Sequence, residues 1–71
     1  MSHPIQTYRQ QKQWSQQELA DFLVCSQTLV SLIEVGERSV SKDNAEGWEA
    51  KTGIPRLSLL YPDQYPYELA P

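Results

Sequence analysis

The sequence predicts an all-α fold, a compact bundle of four to five short helices with a central helix-turn-helix. Three observations carry that expectation. The stretch Gln16–Arg38, QQELADFLVCSQTLVSLIEVGER, holds two helical patterns separated by a few residues, each too short to be stable alone. Helix-start and helix-stop residues punctuate the rest of the chain at short intervals. Seventy-one residues allow one small domain with a marginal core, and Cys25, the single cysteine, offers no disulfide or thiolate cluster to staple it.

The elements follow in order. Pro4 suits the first turn of a helix, where its missing N–H costs nothing, and the first helix is expected from about Pro4 to Gln13 with Ile5 and Tyr8 on one face. Trp14-Ser15-Gln16-Gln17-Glu18-Leu19 reads as a capping box, Ser15 and Glu18 exchanging hydrogen bonds while Trp14 and Leu19 take the staple positions. The second helix runs to about Leu23, with Leu19, Ala20 and Leu23 inward. Ser26 caps a third helix from Gln27 to near Val35, closed by Gly36. Val30 and Ile33 share its inner face, and Gln27, Thr28 and Ser31 lie mostly on the other. Ser39 or Ser41 caps a fourth helix that carries Ala45 and Trp48 inward and stops at Gly53. Pro55 opens a last short turn with Leu57 and Leu60, and Pro62 and Pro66 end regular structure. Trp14 and Trp48 fit core roles, and His3 reads as N-terminal surface.

Charge divides the chain. Six Lys and Arg against nine Asp and Glu give a net −3. Residues 1–42 hold four of each sign, so the whole deficit lies in residues 43–71. A surface meeting a polyanion is therefore expected on the first part. There is no secretory leader and no stretch of membrane-span length, and a lone thiol suits a reducing compartment, so a cytoplasmic location is expected. One His, one Cys and no Gly-rich phosphate loop set an enzyme aside, and neither cofactor nor metal is expected.

Val24-Cys25-Ser26 is a three-residue joint, the spacing of a helix-turn-helix, and it leaves the start of the third helix projecting. Gln16, Glu18, Leu19, Ala20, Leu23, Ser26, Gln27, Val30, Ile33, Glu34 and Gly36 resemble the helix-turn-helix of the phage repressor and Cro family, also called the XRE family. Arg9, seven residues before Gln16, and the run Gly36–Ser41 are similar to that family as well. Thr52–Arg56 and Tyr61–Asp63 resemble the tail of small Cro-like prophage regulators, so the likeness covers residues 4 to about 63. Val24 departs from the pattern, since the family usually has glycine at the turn. Either the turn is reshaped or Val24 is mildly strained. Leu29, Leu32 and Val35 also make the third helix more apolar than in many relatives.

The resemblance implies a lambda-repressor-like fold over residues 1–63, a tail at 64–71, and a sequence-specific transcriptional regulator, a repressor of the Cro type. It implies base-edge contacts from Gln27, Thr28, Ser31 and Leu32. Glutamine can bond adenine N6 and N7 together, and Leu32 can meet a thymine methyl or else pack on the protein. It implies phosphate contacts from Gln16, Arg38, Lys42 and Lys12, and a structural pair of Arg9 with Glu34, which would keep Arg9 from DNA. The expected partner is a near-palindromic duplex operator bound by a homodimer, with dimer contacts sought in Leu57–Leu69 and at an exposed Phe22. The rival reading is an antitoxin- or antirepressor-type interaction module, to which the acidic second half and the tail YPDQYPYELAP would suit a basic protein partner.

Overall fold

The computed structural model describes residues 3–67. Five helices follow one another: α1 (Pro4–Lys12), α2 (Gln16–Leu23), α3 (Gln27–Glu34), α4 (Lys42–Thr52) and α5 (Arg56–Leu60). There is no strand among the described residues. α2 packs on α3, α4 on α5, and α1 reaches α5.

The starts of α1 to α4 are each set by a side chain that satisfies an otherwise orphaned N–H, whereas Pro55 before α5 makes no such bond. His3 caps α1, its Nδ1 accepting from the Ile5 N–H at 3.1 Å. The residue assigned from sequence to the surface is thus a half-buried structural cap. At α2 both halves of the capping box form. The Glu18 N–H donates to Ser15 Oγ at 3.1 Å, and the Ser15 N–H donates to Glu18 Oε1 at 2.9 Å. Ser26 Oγ accepts from the Leu29 N–H, and Ser41, the second of the two serines considered, accepts from the Asn44 N–H.

The stops are less regular. α1 ends one residue earlier than expected, because Gln13 takes a left-handed conformation with φ 61°. α3 closes through Gly36, at φ 85°, and the Glu37 and Arg38 N–H groups both turn back to the Leu32 carbonyl, at 2.9 and 3.2 Å. The α2–α3 joint keeps its tight form despite the missing glycine. Val24 itself adopts φ 61°, ψ 53°, and the Cys25 N–H reaches the Ala20 carbonyl at 2.9 Å. Of the two alternatives, strain at Val24 is the one realised: a β-branched side chain sits where L-residues crowd their own backbone.

The core collects Ile5, Leu19, Ala20, Leu23, Val30, Ile33, Val40, Ala45, Trp48, Ile54 and Leu59 from every helix and from the two connecting segments after α3 and α4. Ala20 is fully buried at the α2–α3 crossing, where a longer side chain would force the helices apart. In α5 the buried leucine is Leu59, 1% exposed, whereas Leu57 is 45% exposed. Phe22 corrects another expectation. It is half-buried in an aromatic cluster, its ring centroid 5.1 Å from Trp14 and 6.3 Å from Tyr8, rather than exposed as expected. Lys51 closes over this cluster, donating to the Phe22 carbonyl at 2.9 Å. Within the tail, Tyr67 packs against the core, while Leu69 lies outside the described residues.

Candidate nucleic-acid interface

The packing of α3 decides what it offers outward. Val30 and Ile33 are sealed against α2, which fixes the rotation of the helix about its axis. Gln27 and Thr28 are then exposed on the first turn, and Ser31 and Leu32 are half-buried on the next. These four side chains, with Gln16 from the start of α2, line one shallow depression of about 260 Å³. None of the five carries a charge. The depression can donate and accept hydrogen bonds through two amides and two hydroxyls, and make an apolar contact through Leu32.

Behind the depression stands one carboxylate. Glu34, at the end of α3, accepts from Arg9 Nε at 2.8 Å and from Arg9 Nη2 at 3.1 Å, a bidentate pair joining α1 to α3. Arg9 Nη1 also donates to the Trp14 carbonyl at 3.0 Å, beside the cap of α2. The side chains are 17% and 3% exposed for Arg9 and Glu34, so the pair is largely out of water. The hydrogen bond to Glu34, ahead of the opposing effect of burial, holds the Arg9 guanidinium above its already high ordinary range. Arg9 is thereby committed to the protein interior.

Gln16 joins the same carboxylate, its Nε2 donating to Glu34 Oε1 at 3.1 Å. Spacing along the chain gave no sign of this bond, because residues 16 and 34 meet only through the α2–α3 crossing. The Gln16 amide keeps a second N–H and its oxygen for an outside partner. Its orientation is set from within the protein.

Arg38, Lys42 and Lys12 do not line the depression. Arg38 is exposed and lines a different groove, with His3, Tyr61 and Asp63. Lys42 is the first residue of α4, exposed. Lys12 ends α1 with its ammonium 5.5 Å from the Tyr8 ring centroid, a cation–π contact that leaves the charge at the surface. The structure therefore gathers Gln16, Gln27, Thr28, Ser31 and Leu32, and none of Arg38, Lys42 and Lys12 lines that depression.

Cys25 offers no reactive centre. Burial pushes its thiol upward, and the nearby Lys51 charge only partly opposes this. Among the described residues no three His, Cys, Asp or Glu side chains gather as a metal site, and no helix is long and apolar enough to cross a membrane.

A family description, helix-turn-helix, matches residues 5–59, which takes in α1 to most of α5 and every residue of the depression. No curated protein and no solved structure matches the chain.

Proposed function

The chain belongs to the XRE-type helix-turn-helix family of DNA-binding regulators, and from that premise we propose that it is a repressor of the Cro type, reading operator DNA with α3. The observation that carries the proposal is the single depression shared by Gln16, Gln27, Thr28, Ser31 and Leu32. A projecting helix start of this kind enters the major groove and presents its first turns to base edges. Gln27 pairs with adenine, Thr28 and Ser31 bond base edges, and Leu32 meets a thymine methyl. Gln16 donates its free N–H to a phosphate, where the N–H groups of the first turn of α2 add attraction. Arg38, Lys42 and Lys12 supply further phosphate contacts, which matters in a chain of net charge −3.

A domain this small makes few contacts, so two copies act together in the cytoplasm on a near-palindromic operator, with half-sites roughly 34–36 Å apart. Residues 1–63 form the DNA-binding domain and residues 64–71 a tail. One observation favours a second role: the acidic surplus of residues 43–71, which suits a basic protein partner of an antitoxin- or antirepressor-type module.

The test begins with selection of bound sequences from random duplex DNA, then titrates variants on the selected operator and on scrambled duplex at several salt concentrations. Gln27→Ala is expected to cost about 1–3 kcal/mol on the operator and much less on scrambled DNA. Arg38→Ala should weaken both alike and flatten the salt slope by roughly one unit. Equal weakening of both duplexes by Gln27→Ala would remove α3 as the reader and move the protein-partner role ahead.

A further inference from the structure

His3 is the chain's single histidine, and both of its ring nitrogens are spoken for. Nδ1 accepts the Ile5 N–H at 3.1 Å, which caps α1. Nε2 lies 3.2 Å from the Leu59 carbonyl of α5. A nitrogen that accepts from an N–H carries no proton, and a nitrogen that faces a carbonyl must carry one. Only the neutral ring protonated at Nε2 satisfies both partners at once. A second proton can enter only at Nδ1. There it would replace the cap's acceptor with a donor aimed at another donor.

We propose that His3 is an acid-released latch, its neutral ring tying the start of α1 to the end of α5 and its protonated ring letting go of the cap. Charged and titratable groups from three other segments share its cavity. Glu34 from α3, Arg38 from the loop after it, and Tyr61 and Asp63 from the turn after α5 line the same cavity of about 380 Å³. On α1 itself the nearest charge, Arg9, is tied to Glu34. Burial of the ring lowers its proton affinity below the ordinary imidazole range, and it outweighs the Leu59 carbonyl and the Glu34 charge, which both act in the opposite direction.

The sign of the effect follows. Below the pKa of a free imidazole the unfolded chain takes up a proton that the folded chain resists. The latch therefore contributes its full stability above about pH 6.5, the unperturbed histidine value. That contribution is lost as pH falls below this point toward the depressed folded value. Each unit of depression corresponds to about a tenfold change in the folding constant. The part released is the ring's hold on the first turn of α1, because the Nε2–H bond to the Leu59 carbonyl survives protonation.

A single histidine makes the test direct. Nitrogen-detected NMR of the intact protein should show the Nε2–H tautomer at pH 7.5 and a titration midpoint below that of a free imidazole. Thermal melts from pH 7.5 to pH 5 should show the wild type losing more stability than His3→Asn. Asparagine keeps a cap oxygen but cannot titrate. An Nδ1–H tautomer, a midpoint at or above the ordinary value, or the same pH dependence in His3→Asn would overturn the latch.

Discussion

Replacing Val24 by glycine should make the protein more stable, although it removes a side chain. Val24 is held at φ 61°, ψ 53°, a left-handed conformation that costs an L-residue about 1–2 kcal/mol. Its side chain is 79% exposed, so almost no buried apolar surface is lost with it. Against the relief stands the extra freedom that glycine gives the unfolded chain, about 0.5–1 kcal/mol. The difference leaves a net gain of about 0.5–1 kcal/mol, or roughly 3–6 °C in Tm for a domain of this size. The assay is a reversible thermal melt followed by circular dichroism, with Val24→Ala and Val24→Asn alongside. Alanine keeps a Cβ and should recover less than glycine. Asparagine tolerates the left-handed region and should fall between them. A Tm for Val24→Gly at or below wild type would refute the reasoning. It would mean that the valine side chain makes a contribution outweighing its backbone strain.

The other expectations concern the ion pair and α5. Arg9→Ala should lower stability by about 1–3 kcal/mol, since it leaves the nearly buried Glu34 carboxylate without its main partner. A melt of the free protein checks it, and an unchanged Tm would contradict the assignment of Arg9 to the interior. Leu59→Ala should cost about 2–5 kcal/mol as a cavity-forming change in the core, measured by urea denaturation. Leu57→Ala on the same short helix should stay within about 0.5 kcal/mol of wild type. Equal costs at the two positions would mean that α5 is rotated from the orientation described.

What could be read in the sequence follows from how local each signal is. Ser15, Ser26 and Gly36 act within a few residues of themselves, so the starts of α2 and α3 and the closure of α3 were legible from spacing alone. Arg9 with Glu34 was suggested only by likeness to relatives, because nothing within either segment points to the other. The bond from Gln16 to Glu34 and that from His3 to Leu59 were invisible, since each joins distant segments through the tertiary fold. His3 carried one local clue, its place immediately before Pro4, the first residue of α1. Phe22 and Leu59 were misjudged or missed for the same reason in apolar form. A short helix has several plausible inner faces, and packing partners choose among them. In α5, five residues long, periodicity had too little length to decide.

Gln27 and Thr28 support nothing else in the molecule. Among the described residues, neither side chain hydrogen-bonds another group, and both are exposed. The turn they stand on is held by Ser26 beneath them and by Val30 and Ile33 behind. Substitutions at such positions usually change stability by no more than about 0.5 kcal/mol. These two positions can therefore be randomised in a library without a folding penalty dominating the survivors. Gln16 differs, because replacing it also strips a hydrogen bond from Glu34. A lineage or an engineer retuning this surface has two positions that can change alone and a third whose changes are felt at the carboxylate joining α1, α2 and α3.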